Sequence, residues 1–175
     1  METTERKAGE TRWIQGAHAG LVGEIVRWHG RYYVQGRGWS PLFEALCAEQ
    51  LGEIARQWGE RDEVTAFSAW RGDEFLAAVV MDARPGARAG ARLRFLIASD
   101  TARGSGLGNE LLARAIAWAQ ARGETAVWLT TVAGLEASSH LYRKYGFALL
   151  EERHDRTWGD EHLEQLWERR IHSQP

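Results

Sequence analysis

The sequence predicts an α/β domain built on a mixed β-sheet, and three observations carry that prediction. Between residues 92 and 131 a strand-like run leads through a glycine-rich loop into an amphipathic helix and on to a second apolar strand. That order is a βαβ unit, so at least part of the sheet is parallel. Residues 64–70 and 75–81 are strand-like runs joined by Arg71-Gly72-Asp73-Glu74, the pattern of an antiparallel hairpin. The length, 175 residues, suits one core and leaves no space for a second large domain.

Residues 1–10 are polar and predict a frayed terminus ahead of a single domain over residues 11–175. Residues 13–17 predict a short first strand. Leu21, Ile25, Trp28 and Tyr32 then recur every three or four residues, one face of a helix that ends near Gly36 to Gly38. Ser40-Pro41 starts the next helix, with Ser as cap and Pro in the first turn, and Glu44 lies in that turn. Its apolar stripe, Phe43, Leu46, Cys47, Leu51, Ile54 and Trp58, runs to Gly59. The hairpin strands follow, then a polar loop with Pro85, Gly86 and Gly90, then a strand over residues 92–98. Leu107, Leu111, Ala115 and Trp118 share one face of a third helix that reaches Gly123. Residues 126–131 form a compact apolar strand, and residues 135–145 a short helix ended by Gly146. Residues 147–157 and 162–171 are the last strands, turning at Trp158-Gly159-Asp160. The sum is about seven strands and four helices.

Composition narrows the function. Hydrophobic residues at 44% and charged residues at 26% exclude disorder and collagen-like repeats. With 22 Lys+Arg against 24 Asp+Glu the net charge is −2, so nothing attracts nucleic acid or an anionic membrane overall. The amino terminus has charges of both signs and no apolar stretch behind it, unlike a signal or transit peptide. The apolar run through residues 76–81 is far short of the ~20 residues that span a bilayer. The single cysteine, Cys47, cannot form an internal disulfide and reads as a small buried hydrophobe. A cytoplasmic protein is expected.

The informative stretch is Leu96-Ile97-Ala98-Ser99-Asp100-Thr101-Ala102-Arg103-Gly104-Ser105-Gly106-Leu107-Gly108. Glycines let backbone N–H groups approach a ligand, and a helix start adds partial positive charge, so a phosphate or pyrophosphate is the natural guest. The Walker pattern needs Gly-Lys-Ser/Thr, but Asn109-Glu110 follows Gly108, which argues against a nucleotide triphosphatase. The dinucleotide pattern Gly-x-Gly-x-x-Gly also fails, because its last glycine is replaced by Asn109 or Leu111 depending on the starting glycine. What remains is Arg103-x-x-Gly106-x-Gly108.

With that loop, the helices and strands before it and Leu141-Tyr142-Arg143-Lys144-Tyr145-Gly146-Phe147 after it, nearly the whole chain resembles the GNAT superfamily of acyl-CoA N-acyltransferases. It is similar in particular to the acetyltransferase half of proteins that fuse a MarR-type winged-helix repressor to a GNAT domain. Arg27-Trp28-His29-Gly30, Tyr33, Gly38-Trp39, Phe43-Glu44, Leu93-Arg94-Phe95 and Trp158-Gly159 with Glu164-Gln165-x-Trp167 carry that likeness. The repressor half has no counterpart in this sequence. The resemblance implies a central mixed sheet splayed between strands 4 and 5, with acetyl-CoA as co-substrate in the gap. It places the CoA pyrophosphate on the N–H groups of Arg103, Gly104, Ser105, Gly106, Leu107 and Gly108, and successive amides before a helix do form an anion nest. It also places the pantetheine arm along Leu96, Ile97 and Ala98, with a further cofactor contact at Ser138. A backbone N–H in that strand then stabilises the thioester oxygen as charge develops.

Tyr142 holds the position that protonates the departing thiolate in many GNAT enzymes; the alternative is a ring that packs the short helix on the sheet. Leu135 stands where many relatives have Asn, and a side-chain hydrogen bond to the cofactor is lost with it. An amine must shed its proton before it attacks a thioester. The resemblance places Glu44 over the acceptor side as the base. It also suits a role as a binder of cationic substrate, or as favourable charge at a helix start. His29 and Tyr33, four apart on one helix face, and Trp39, Phe43 and Trp158 are acceptor-pocket candidates that equally suit core packing.

His154, Asp155 and His162 lack the spacing of a zinc site, so no metal is expected. Arg84, Arg88, Arg92 and Arg94 read as a solvated hairpin, not a nucleic-acid patch. The expected activity is N-acetyl transfer from acetyl-CoA to an amine of a small molecule or peptide, by direct attack in a ternary complex. The alternative is a non-catalytic acyl-CoA-binding sensor or regulatory module that acts on a partner repressor. A homodimer is compatible with the family.

Overall fold

The computed structural model describes residues 9–171, so most of the segment expected to fray lies outside the described residues. The chain runs β1 (Arg12–Gln15), α1 (Leu21–Gly30), α2 (Leu42–Ala55), β2 (Val64–Arg71), β3 (Glu74–Asp82), β4 (Ala91–Ala98), α3 (Leu107–Ala121), β5 (Ala126–Val132), α4 (Glu136–Lys144), β6 (Ala148–Asp155) and β7 (His162–Arg170). All seven strands join one sheet in the order β1-β2-β3-β4-β5-β7-β6. The β4–β5 pair is parallel and the other pairs are antiparallel, as a βαβ unit flanked by hairpins requires. This is the mixed seven-stranded sheet with four helices that the sequence predicts.

Two differences at helix ends have physical causes. The α1 helix passes at Gly30 into one widened π-helical segment, Arg31–Gln35, which the regular spacing of apolar residues hides. The α2 helix stops at Ala55 although its stripe runs on to Trp58, because Gln57 and Trp58 bond back to Ile54 and Ala55 as tight turns.

The helices cover both faces of the sheet. On one side Leu111, Leu112, Ala115, Ile116 and Ala119 of α3 pack with Tyr142 of α4 onto Val79, Met81, Leu93, Leu129 and Trp167. On the other side Leu21, Ile25 and Trp28 of α1 and Phe43, Cys47, Leu51 and Ile54 of α2 pack onto Ala66, Val80 and Phe95. Burying each such large apolar side chain contributes roughly 1.5–3 kcal/mol before entropy opposes it.

The sheet opens where β4 and β5 part. They pair only at Ala91–Val127 and Arg92–Trp128, and β4 then continues six residues without that neighbour. Gly90 lets the pair start in contact: it has φ +92°, and a Cβ there would lie 2.4 Å from the Ala126 carbonyl oxygen. Further on, Val80 faces Arg94 and Ala78 faces Ile97, so Phe95 and Leu96 together oppose Val79. This is a β-bulge with Phe95 at φ 51°, and a bulge bends its strand and leaves backbone groups outside the ladder. The gap and the bulge lie together.

Candidate active site

The loop after β4 presents free amides. Gly106 caps α3 at φ 86° and Gly104 sits at φ 77°, conformations that a side chain disfavours. The Arg103 amide donates to the Ser99 carbonyl at 3.1 Å and the Ser105 amide to the Ala102 carbonyl at 3.2 Å. Among the described residues the amides of Gly104, Gly106, Leu107 and Gly108 have no acceptor. Four unpaired donors at a helix start form a preorganised anion cradle. Gly108 also lets α3 approach α4, since a Cβ there would meet Leu141 at 3.3 Å.

A cleft of about 480 Å³ extends from this cradle along β4 to α4. Leu96, Ile97, Ala98, Arg103, Gly104, Gly106, Leu107, Gly108 and Ser138 line it, while Ser105 turns its hydroxyl back to the Ala102 carbonyl. Arg103 is held at the rim by Asp100 at 2.9 Å and lies over the Tyr32 ring, 4.8 Å from its centroid. Leu135, at the start of α4, adds an apolar wall and offers no side-chain cap.

A second, smaller cavity of about 90 Å³ lies on the other side of the bulge, between β4, β5, α1 and α2. Leu96 and Tyr33 line both spaces, so the two meet at the bulge. His29, Phe43, Tyr142 and Trp158 line the smaller cavity too. The Tyr33, Phe43 and Trp158 rings pack together, with centroids 4.6 Å apart for Tyr33–Phe43 and 5.3 Å for Phe43–Trp158. Trp39 stands behind them, 5.0 Å from Tyr33 and 5.3 Å from Phe43, and does not reach the cavity itself. The Ser40 amide donates to Asp160 at 2.6 Å, which ties this wall to the β6–β7 turn. Glu44 is exposed, and its carboxylate rests where a Cβ of Gly30 would be; it lines neither space.

Burial sets the protonation states. It lowers the His29 pKa to about 4, so the ring is neutral and its Nδ1–H donates to the Ile25 carbonyl at 2.9 Å. That leaves Nε2 as an acceptor. Burial pushes the Cys47 thiol up to about 12 and the Tyr33 and Tyr142 phenols above their ordinary range, so all three keep their protons.

The profile of the Acetyltransferase (GNAT) family matches residues 24–147, well over half of the chain. The chain belongs to this family. Solved structures agree on the fold. An acetyltransferase of the GNAT family from Streptococcus pneumoniae is 21% identical with a TM-score of 0.66, and the match covers 93% of this chain and 100% of that one. A protein of acetyltransferase type from Salmonella typhimurium, solved with its cofactor acetyl-CoA, is 12% identical with a TM-score of 0.70, covering 94% of this chain and 95% of that one. A chain of the NatC complex bound to Gag peptide and CoA is 16% identical with a TM-score of 0.67, covering 93% and 99%. No curated protein matches the sequence. No described helix of this acetyltransferase is long and apolar enough to cross a membrane.

Several site residues of the acetyltransferase escape sequence reasoning. Arg92 and Arg94 are not solvated: both line the smaller cavity, where α2 covers their side of the sheet. Lys144 lines the larger cleft and donates to Asn109 at 2.6 Å. Asp155, His162 and Glu164 bring ligand-type atoms within 4.8 Å of one another across the β6–β7 hairpin, with Arg153 already paired to Glu164 at 2.7 Å. Strand register made that grouping, and no local spacing signals it.

Proposed function

We propose that this acetyltransferase carries an acetyl group from acetyl-CoA to an amine of a small molecule or peptide by direct attack. The observation that supports it most is the row of four unpaired amides at Gly104, Gly106, Leu107 and Gly108, which suits a diphosphate. Acetyl-CoA would supply an activated thioester. Arg103 and Lys144 at the rim of the cleft add positive charge for its phosphates, and Leu96 to Ala98 offer the pantetheine arm a strand edge. The Phe95–Leu96 bulge lies where the two spaces meet, and a backbone N–H that such a bulge releases from the ladder is suited to stabilise the thioester oxygen.

The acceptor then enters the smaller cavity. As the amine nitrogen bonds to the acyl carbon, the carbon–sulfur bond breaks and the sulfur leaves as a thiol with the proton of Tyr142 Oη, while the proton that the nitrogen sheds to become an amide returns the phenolate to a phenol. Burial raises the phenol pKa, which keeps the proton on Oη until negative charge develops on the sulfur. The cavity's ionised side chains are Arg92 and Arg94, with no carboxylate, and positive surroundings favour the neutral, nucleophilic amine. His29 Nε2 is an acceptor for an amine hydrogen.

Incubation with acetyl-CoA and a panel of small amines and peptides, followed by mass spectrometry, tests the reading. Acetylated amine above the no-enzyme blank is expected. Cofactor binding without any acetylated product would favour an acyl-CoA sensor, the role suggested by the likeness to repressor-fused domains.

A further inference from the structure

The acceptor cavity holds an uncompensated positive charge. Arg92 and Arg94 are two apart on β4, so they share one face of the sheet, and both line the cavity. Arg94 is well partnered: Nη2 donates to Gln50 at 2.5 Å, and Asp82 lies 3.7 Å from Nη1. Its side chain is only 12% exposed.

Arg92 is not. Its one side-chain hydrogen bond goes to the neutral Thr130 hydroxyl at 3.0 Å, and its guanidinium carbon lies over the Trp128 ring, 4.8 Å from the centroid. Its Nε is buried with no acceptor. Two acids act on it without making an ion pair, Glu164 and its cross-strand neighbour Asp82, and each is already held by another arginine. Asp82 takes Arg84 at 2.7 Å, and Glu164 takes Arg153 at 2.7 Å. The other groups lining the cavity cannot supply negative charge, because the Cys47 and Tyr142 protons stay on and His29 is neutral. A buried cation with no counter-charge in contact is costly, and a bound anion removes that cost.

We propose that the acceptor carries a carboxylate close to its amine, as an amino acid does, and that Arg92 receives this carboxylate. The assignment rests on the acyl-transfer reading above and specifies its substrate class. A guanidinium offers a planar fork that matches a carboxylate with two parallel hydrogen bonds. Position suits the role: Arg92 is three residues before the bulge, but its Nη2 reaches Thr130, two residues along β5 from its register partner Trp128. The fork therefore stands roughly one residue, about 3.3 Å, short of the bulge, and a carboxylate on it leaves an adjacent amine near the junction where the acyl group would lie. The charge also selects within the class, since it disfavours purely cationic polyamines.

The test compares α- and β-amino acids with their carboxamides, which differ only in the anion. Product is read by mass spectrometry for the wild type, Arg92→Met and Arg92→Lys. The wild type is expected to favour acids by at least tenfold in kcat/KM, Arg92→Met to erase that preference, and Arg92→Lys to keep part of it. KM for acetyl-CoA should stay within about twofold throughout, which also reports that the variants are folded. Equal use of acid and amide by the wild type, or a preference that survives Arg92→Met, overturns the proposal. Calorimetry of the same pairs on CoA-saturated protein separates the two claims. Arg92-dependent binding of acids with no acetylated product counts against acyl transfer alone, whereas acids and amides bound alike, or neither bound, count against the carboxylate.

Discussion

Replacing Tyr142 with Phe lowers kcat by about 100-fold, the usual contribution of a positioned general acid, and leaves CoA affinity within about threefold. The phenol lines the smaller cavity, on α4, and burial keeps it protonated. Its ring is held between Phe147 and Trp167, with centroids 5.9 and 6.0 Å away. Phenylalanine preserves those contacts, so the fold is retained and only the proton donor is lost. Steady-state kinetics at saturating amine, with calorimetry for CoA, separates the two effects. Equal losses in turnover and affinity, or no loss in either, would assign Tyr142 to packing.

Stability falls by about 3 kcal/mol as pH drops from neutrality to 4, and His29 is the cause. In the fold its pKa is about 4, against 6.5 for an ordinary histidine. Between those values the unfolded chain binds a proton that the folded chain refuses, so folding weakens as pH falls through the window, at about 1.4 kcal/mol per unit. The side chain is only 7% exposed and sits among Tyr33, Phe43 and Phe95, so solvent does not relieve the penalty. The acids held below their ordinary range are Asp82, Asp155 and Glu161. For Asp82 burial opposes ionisation, but hydrogen bonds and charge from Arg84 and Arg94 prevail; Asp155 is held by hydrogen bonds at Thr157, and Glu161 by Arg156. Depressed carboxyl pKa values begin to weaken folding only below about pH 5, so they add to the loss at the acid end of the window and leave the range from pH 7.5 to 5 to His29. Urea midpoints at pH 7.5, 6 and 5 should therefore slope downward in the wild type and lie nearly flat in His29→Phe. An identical slope in both proteins would contradict this assignment.

The framework of this acetyltransferase was legible because each signal was local. Apolar spacing, the Ser40-Pro41 start and the glycines at 104, 106 and 108 act within a few residues, and the elements they predict are present. The smaller cavity was not legible in the same way. Arg92-Leu93-Arg94 alternates like a strand with one wet face, but α2 covers that face, and only tertiary packing decides between water and a cavity. The widened segment Arg31–Gln35 keeps the apolar spacing of a regular helix while it carries Tyr33 to the junction of the two spaces. Glu44 occupies a first-turn position whose spacing says nothing of where its carboxylate points, and the carboxylate rests on Gly30.

Everything proposed for the site depends on the amides of Gly104, Gly106, Leu107 and Gly108 holding a diphosphate. The most direct measurement is a calorimetric comparison of CoA with pantetheine, which keeps the thiol arm and lacks the diphosphate. CoA should bind at least 100-fold more tightly, about 2.7 kcal/mol. Equal affinity for the two, or no association of CoA at millimolar concentration, would contradict the account.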